Sequence, residues 1–347
     1  MSMRMRAKWT LRQARHWLKC RLAPPAIILM YHRVTELPND PHLLAVTPEH
    51  FAEQLEVIRA HGVPMRLQEL VRSLRQGRVP PRAVAVTFDD GYADNLHRAK
   101  PLLAHYEVPA TVFVTAGQVG RTREFWWDEL DRLLLQPGTL PPVLRLRLNG
   151  SVREWRLEES STYTVEEYQH DRHWHVECRD DPGPRQRVFR GLFDLLYLLP
   201  SAQRWTILDE LTAWAEALPI ARPSHQTLTS AEAVRLAEGD LVEVGAHTMT
   251  HPVLAALSVI EQRQEIQESK ARLEAVLGDK VVSFAYPHGS STLETAATVG
   301  EAGFLCACSS QPDAVFRRAN PFQLPRLGVR DWDGNTFARW LRWWVGG

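Results

Sequence analysis

The chain has 347 residues, of which 44% are hydrophobic and 24% are charged, and its formal net charge is zero. This composition is typical of a folded protein with a sizeable core and argues against disorder. The charge balance predicts no global attraction to nucleic acid or membrane. The four cysteines lack zinc-finger spacing and indicate neither a disulfide framework nor a thiol catalyst.

Residues 1–22 form a basic N-terminal segment. Eight Lys and Arg residues precede the first acidic residue, Glu36. The segment could touch an anionic membrane surface, but a short basic helix packed on the domain is the favoured interpretation. It lacks the apolar stretch of a secretory signal, and the apolar run 26–31 is far shorter than the ~18 residues of a membrane span. We therefore expect a cytoplasmic protein, with peripheral membrane contact through residues 1–22 as the alternative.

Short apolar runs after this segment predict the strands of a parallel sheet. Nearly continuous apolar strands are typical of a parallel sheet covered on both faces. The predicted strands are Ala26–Tyr31, Ala83–Phe88, Ala110–Val114, Leu241–Gly245 and Val281–Ala285.

Helix signals alternate with these strands. Thr47 and Pro48 predict a helix start, and Gly62 its end. Thr229 and Ser258 each stand three residues before a glutamate, which predicts a capping box at the start of a helix. Alternating strands and helices predict an α/β fold, either a barrel or a doubly wound sheet.

Residues 121–228 interrupt this alternation. Helical patterns cover 189–199 and 205–218, and residues 144–155 predict a hairpin around Asn149-Gly150. We interpret the stretch as a large, mostly helical insertion in a domain that spans residues 23–347. Its Phe125–Asp128 segment is expected near the mouth of the barrel.

Two adjacent carboxylates, Asp89 and Asp90, follow the predicted strand 83–88 and precede Gly91. Adjacent carboxylates repel each other unless one of them binds a cation or a proton, so the pair predicts a positive partner. A solvated turn is the alternative, because Asp-Gly is a common turn pair.

A histidine pair, His247 and His251, follows the predicted strand 241–245. Histidines four residues apart project the same way if the segment turns helically, which suits one metal ion. Incidental spacing is the alternative. The carboxylate pair and the histidine pair both follow predicted strands, where α/β barrels assemble active sites. The sequence therefore predicts a three-ligand metal site of Asp90, His247 and His251, with a position open for water.

The sequence Thr87-Phe-Asp-Asp-Gly91, followed by His247-Thr-Met-Thr-His251-Pro252, resembles the first two motifs of the polysaccharide deacetylases, the NodB-homology domain of carbohydrate esterase family 4. The resemblance spans about residues 26–120 and 229–335. It implies a distorted (β/α) barrel, a zinc-like divalent ion on Asp90, His247 and His251, and Asp89 as general base. Such a ligand set also accepts other first-row ions.

The third family motif departs from its usual pattern in this chain. Pro287 matches, but Ala285 replaces the arginine that normally orients the base. We expect Arg326 or Arg330 to supply that arginine from elsewhere. His288 replaces a tyrosine whose backbone N–H helps to bind the oxyanion, and a backbone donor survives this change.

The resemblance also implies residues around the substrate. Asp331-Trp332 resembles the fourth motif, whose tryptophan helps to wall the acetyl pocket, although a surface turn is the alternative. The residues expected near the substrate or the oxyanion are Tyr92, Tyr286, Pro287, His288, Arg326, Asp331 and Trp332.

The fifth family motif is a histidine near the C-terminus, but no histidine follows His288 in this chain. Members of the exopolysaccharide branch are permuted and carry this histidine on their first strand. Leu29–His32 fits that arrangement, so the resemblance implies His32 as general acid, with a structural histidine as the alternative. The histidines without motif support, His42 and His225 among them, are expected to be structural or exposed.

Together these features predict metal-dependent hydrolysis of N-acetyl groups on an amino-sugar polysaccharide or its biosynthetic intermediate. Acetate and a free amino sugar would be released. The alternatives are an O-acetyl esterase on the same scaffold, a non-catalytic carbohydrate-binding protein, and a membrane-docked partner of a polysaccharide assembly complex. The missing motif arginine motivates the non-catalytic alternative. The particular sugar, the metal and the oligomeric state stay open.

Overall fold

The computed structural model describes residues 25–148 and 150–345. The basic segment 1–22, with its expected membrane contact, lies outside the described residues, as does Asn149 of the predicted hairpin turn. A search of the described ranges finds no helix with the length and apolar character needed to cross a membrane.

The strands are β1 (Ile27–Tyr31), β2 (Arg33–Val34), β3 (Ala45–Val46), β4 (Val63–Pro64), β5 (Ala83–Phe88), β6 (Ala110–Val114), β7 (Gly138–Thr139), β8 (Val143–Leu148), β9 (Ser151–Arg156), β10 (Thr162–Tyr163), β11 (Val242–Ala246), β12 (Ser283–Ala285), β13 (Cys306–Cys308) and β14 (Leu327–Gly328). The α-helices are α1 (Pro48–His61), α2 (Leu67–Gln76), α3 (Lys100–His105), α4 (Trp126–Leu134), α5 (Val165–Asp171), α6 (Pro184–Tyr197), α7 (Ser201–Trp214), α8 (Ser230–Ala237), α9 (Val259–Leu277), α10 (Leu293–Glu301) and α11 (Gly334–Val345).

The main sheet is parallel and runs in the order β14-β1-β5-β6-β11-β12-β13, with the short β4 added beside the start of β5. Its two ends approach each other through one segment. Leu324 forms a parallel bridge with Cys308 of β13, and β14, three residues further on, pairs with β1. The sheet therefore curls into the distorted (β/α) barrel that the family resemblance implies.

Local sequence signals place most of these elements as predicted. Every residue of β5 and β6 is buried, as expected for strands covered on both faces. Helix α1 begins after Thr47, whose side chain accepts a hydrogen bond from the His50 N–H, and both predicted capping boxes are present at Thr229 and Ser258. Helix α9 ends at Gly278 in the left-handed conformation.

The stretch 121–228 contains helices α4 to α7 and the predicted antiparallel hairpin β8–β9. Its apolar side chains build a second hydrophobic cluster, which Tyr92 joins from the barrel. An ionic network ties the two ends of the stretch together, because Arg222 contacts Glu124 at 2.9 Å and Asp131 at 2.6 Å. These contacts fasten α4 to the C-terminal end of the stretch.

Gly245 of β11 lies where the central strands pack too closely to admit a side chain. A Cβ at this position would lie 2.5 Å from Cδ1 of Phe113 and 2.9 Å from the Ser283 carbonyl oxygen. We predict that Gly245→Ala lowers the free energy of unfolding by about 1–3 kcal/mol, because neighbouring strands have to move apart. Urea denaturation measures this change.

Gly328→Ala in β14 is the matched control. The nearest atom to its added Cβ would be Met30 Cε at 3.5 Å, an ordinary contact distance. We expect its free energy of unfolding to stay within about 0.5 kcal/mol of the wild type. Equal stabilities for the two alanine variants would contradict the packing argument.

Candidate metal centre and active site

The carboxylate pair sits on a sharp turn at the C-terminal end of β5. The Asp89 N–H donates to the Tyr31 carbonyl oxygen at 3.0 Å, which continues the pairing with β1 for one more residue. Asp90 then adopts a φ of +75° and Gly91 a φ of +84°. A Cβ on Gly91 would also meet Val114 Cγ1 at 2.9 Å. The turn therefore requires glycine at position 91 and directs both carboxylates into the barrel mouth.

The histidine pair lies on an irregular loop after β11, where the sequence suggested a helical turn. Thr248 and His251 have φ values of +64° and +56°, so this loop cannot continue as a helix. The Thr248 hydroxyl accepts the His251 N–H at 3.0 Å. The two imidazoles still meet, with ring centroids 4.9 Å apart, because of this loop geometry.

Three ligand atoms converge on one point. Asp90 Oδ1 lies 3.7 Å from His247 Nε2 and 3.3 Å from His251 Nε2, and ligand atoms of the three residues all lie within 4.8 Å of one another. In a tetrahedral zinc site with bonds of about 2.0–2.2 Å, neighbouring ligand atoms stand roughly 3.3–3.5 Å apart. The spacing therefore fits a small divalent ion.

The electrostatics of these side chains also fit a cation. Burial lowers the pKa of His247 to about 4 and that of His251 to about 3, so both rings are neutral ligands at pH 7. Burial raises the pKa of Asp90, because an unpaired anion is poorly stabilised there. The Nδ1 atom of His247 lies 2.8 Å from the Ala285 carbonyl oxygen, which orients Nε2 toward Asp90.

Glu265 of α9 braces the loop that carries the histidines. Its carboxylate accepts hydrogen bonds from the N–H groups of Met249 and Thr250 at 2.8 and 2.9 Å. It also accepts the Thr250 hydroxyl at 2.6 Å. These bonds hold the backbone between His247 and His251, and nothing in the sequence motif pointed to Glu265.

Asp89 forms a bidentate ion pair with Arg326, which is fully buried. The Nη1 and Nη2 atoms of Arg326 donate to the two Asp89 oxygens at 2.6 and 2.7 Å. Burial by itself raises the pKa of Asp89, but the Arg326 charge and hydrogen bonds hold it well below its usual range. Asp89 is therefore an ionised hydrogen-bond acceptor at neutral pH.

Of the two arginines considered for Asp89, only Arg326 reaches it. Arg326 also donates to the Thr87 hydroxyl at 3.1 Å and to the Ser309 carbonyl oxygen at 2.9 Å, which fixes its guanidinium. Arg330 instead donates to the Leu43 carbonyl oxygen at 2.9 Å and contacts Glu177. The segment that closes the barrel thus supplies the arginine that position 285 lacks.

A cavity of about 230 Å³ lies over these groups. It brings together six of the sequence-predicted residues, namely His32, Asp89, Asp90, His247, His251 and His288. The sequence reasoning missed the other lining residues, which are Met30, His42, Leu44, Trp127, Phe193, Gly289 and Ser310. The prediction of Phe125–Asp128 near the barrel mouth is the one signal that pointed toward Trp127.

His32 and His288 line this cavity from opposite ends of the sequence. His32 follows β1, and burial lowers its pKa. His288 has a φ of +56°, and its ring centroid lies 4.6 Å from that of His251. Its Nε2 atom is buried without a hydrogen-bond partner, so a polar group of a ligand could satisfy it.

Several residues expected near the substrate do not line this cavity. The Tyr92 hydroxyl is buried and donates to Asp128 at 2.7 Å, and the Tyr286 hydroxyl donates to the Phe322 carbonyl oxygen at 2.7 Å. Pro287 is buried beside the cavity-lining His288. Arg326 lies behind Asp89 and acts on the cavity only through it.

Asp331 and Trp332 belong to a different cleft. Asp331 accepts hydrogen bonds from the Thr47 N–H and hydroxyl at 2.8 and 3.0 Å, beside the start of α1. The Trp332 ring packs on Trp340 with centroids 5.1 Å apart. The expectation that Trp332 walls the acetyl pocket is therefore wrong for this structure, because the chain after β14 turns toward α1 and α11.

We predict that Glu265→Gln weakens binding of Zn²⁺ by roughly 10–100-fold, because removing an outer hydrogen-bond partner loosens the ligand loop. Competition with a chromophoric chelator measures this affinity. Glu268→Gln, at an exposed position on the same helix, is the control and should bind Zn²⁺ like the wild type. Equal affinities for all three proteins would show that the brace does not matter for the metal.

Known proteins resemble this chain in sequence and in fold. The family model described as polysaccharide deacetylase matches residues 76–138 and 207–307. A poly-beta-1,6-N-acetyl-D-glucosamine N-deacetylase of Staphylococcus epidermidis is 31% identical over an alignment of 112 residues, and the match covers 28% of this chain and 38% of that protein. The chain thus matches well under half of that curated relative's length.

Two solved structures share the fold over most of the chain. The deacetylase PplD of Streptococcus pyogenes, in complex with acetate, has a TM-score of 0.56 at 16% identity and covers 91% of this chain and 98% of its own. IcaB of Ammonifex degensii has a TM-score of 0.56 at 19% identity, with 93% and 98% covered. The matched family model and the shared barrel make this chain similar to the polysaccharide deacetylases.

Proposed function

We propose that this protein is a metal-dependent deacetylase that hydrolyses N-acetyl groups on an amino-sugar polysaccharide or its biosynthetic intermediate. The observation that carries the proposal is the buried Asp90, His247 and His251 cluster, with the ionised Asp89 beside it in the same cavity. The name of the Staphylococcus epidermidis relative supports an N-acetylglucosamine polymer as substrate and a place in exopolysaccharide biosynthesis.

Each cavity residue has a separate chemical task in this proposal. A divalent ion on Asp90, His247 and His251, most simply Zn²⁺, would supply a water of lowered pKa and polarise the acetyl carbonyl. Asp89 accepts a proton from the attacking water, and its pairing with Arg326 keeps it ionised and correctly oriented. The backbone N–H near His288 stabilises the developing oxyanion.

The leaving amine needs a proton, because an amide nitrogen is a poor leaving group without one. In our proposal water first adds to the acyl carbon while Asp89 takes its proton. His32 lines the cavity beside the carboxylates, and burial favours its neutral ring, so it receives a proton within the cavity and passes it to the amide nitrogen. The C–N bond then breaks, and the products are acetate and a free amino sugar.

The buried Arg326 bears on the non-catalytic alternative. That alternative was motivated by the arginine missing at position 285, and Arg326 supplies the same charge to Asp89. An O-acetyl esterase would use the same groups, so paired N-acetyl and O-acetyl substrates separate it from the amidase. Acetate release from the ester alone would contradict the proposed N-deacetylase.

We predict that Asp89→Asn keeps the metal but loses about 10²–10⁴-fold in kcat/KM, because the base is removed while the three ligands remain. Acetate release and metal content by mass spectrometry are the measurements. The variant leaves Arg326 buried without its anion, so thermal unfolding has to confirm that it is folded at the assay temperature. Asp240→Asn, at an exposed position, is the control. Undiminished acetate release from Asp89→Asn would contradict the assignment of Asp89 as general base.

His247→Ala should instead lose the metal, since two of the three ligands cannot hold it in the same geometry. Metal content after dialysis against a weak chelator checks this outcome, with His105→Ala at an exposed position as control. A fully metallated His247→Ala protein would contradict the ligand set, whatever its activity.

A further inference from the structure

Trp127 forms an apolar wall of the metal-site cavity, and it comes from α4 in the stretch 121–228 rather than from a barrel strand. Its ring centroid lies 4.9 Å from that of His251 and 4.5 Å from that of Phe125, onto which it stacks. Only 5% of Trp127 is exposed, so it can offer an edge to a small group but cannot lie flat against a whole sugar ring.

The Trp127 ring is held in one orientation by a buried hydrogen-bond chain. Its indole N–H donates to the Tyr92 hydroxyl at 2.9 Å, and that hydroxyl donates to Asp128 Oδ2 at 2.7 Å. Tyr92 is fully buried beneath the Arg33 guanidinium, which lies 4.2 Å from its ring centroid. Rotation of the indole would leave its buried N–H without an acceptor, and that cost holds the wall in place.

The position of Trp127 beside the metal ligands brings it close to the methyl of a bound acetyl group. The acetyl carbonyl has to lie near Asp90, His247 and His251, and its methyl group is only one bond further away. The remaining apolar side chains of the cavity are Met30, Leu44 and Phe193. A rigid, apolar boundary beside the ligands suits a methyl group and resists a longer chain.

We propose that Trp127 is the specificity-determining wall that limits the acyl group to acetyl, and that Tyr92 and Asp128 position it. The inference rests on the proposed deacetylase function and deepens it, because it assigns the acyl selectivity to a residue outside the barrel strands. It also replaces Trp332, which the fourth family motif would assign to the same wall but which lies in another cleft.

The expected preference for acetyl over propionyl groups can be estimated from how strongly pockets of other enzymes reject one extra methylene. One additional methylene is worth about 10–200-fold in kcat/KM when a rigid pocket excludes it. We expect the wild-type protein to prefer acetyl over propionyl groups by a factor in this range. Trp127→Ala should reduce that preference by at least about 10-fold, because the deleted indole leaves room for the extra methylene.

The experiment compares zinc-loaded proteins on β-1,6-linked glucosamine oligomers that carry either acetyl or propionyl groups. The measured quantity is the ratio of the two kcat/KM values, which general damage to the fold would not change. Tyr92→Phe removes the acceptor of the indole N–H and should lower the ratio by a smaller factor. Trp127→Phe is the milder variant, in case the alanine variant does not fold, and should also lower it.

Trp332→Ala is the matched control, a tryptophan at the same end of the barrel but outside the cavity. Its ratio should equal that of the wild type. An unchanged ratio in folded, metallated Trp127→Ala or Trp127→Phe would overturn the inference. A changed ratio in Trp332→Ala alone would overturn it in favour of the fourth-motif assignment.

Binding of carboxylates separates this inference from the proposed function. Calorimetry measures the affinities of acetate, propionate and butyrate for the zinc-loaded protein, without any turnover. Acetate should bind more tightly than butyrate in the wild type, and Trp127→Ala should reduce that difference at least about 10-fold. If the wild type releases no acetate from any acylated oligomer, the proposed function fails. If the wild type and Trp127→Ala show the same ratio of acetate affinity to butyrate affinity, the role of Trp127 as a selective wall is overturned.

Discussion

The buried ion pair between Asp89 and Arg326 connects the barrel's architecture to its chemistry. Two adjacent carboxylates stand at the end of β5, in a place that is largely shielded from water. Two such anions cannot be stable together unless each has a positive partner. Arg326 neutralises Asp89 through two hydrogen bonds, and the convergence of His247 and His251 on Asp90 provides the donor set for a cation.

The same ion pair depends on how the barrel closes. Arg326 stands between Leu324, which bridges to β13, and β14, which pairs with β1. The guanidinium can therefore approach β5 only when the segment from Leu324 to Gly328 spans the gap in the sheet. Removal of one partner from such a buried pair costs about 3–5 kcal/mol, because the other charge stays buried. Asp89 can therefore be oriented by Arg326 only in a protein whose barrel has closed.

The residues around the ligands come from parts of the chain that are distant in sequence. Glu265 of α9 holds the histidine loop from outside the barrel, and Trp127 of α4 borders the cavity from the stretch 121–228. Neither residue belongs to the two short motifs that revealed the site. A metal site requires such supporting contacts, since ligands that can rotate freely bind an ion weakly.

The sequence by itself determined the local parts of this protein. Apolar runs located the strands, capping boxes located helix starts, and the two motifs identified Asp90, His247 and His251 as candidate metal ligands. Each of these signals depends on neighbours within a few residues. The histidine pair meets without the helical turn that its spacing would have needed, because Thr248 and His251 adopt positive φ values that spacing alone does not reveal.

Only the tertiary structure decided which distant side chains meet. Arg326 and Arg330 were both candidates from the sequence, and strand β14 directs the first to Asp89 while the second turns toward Leu43. Trp332 resembled a family motif, yet Trp127 reached the cavity. The physical reason is that such contacts depend on strand order, closure of the barrel and packing of the stretch 121–228, which no pattern of neighbouring residues records.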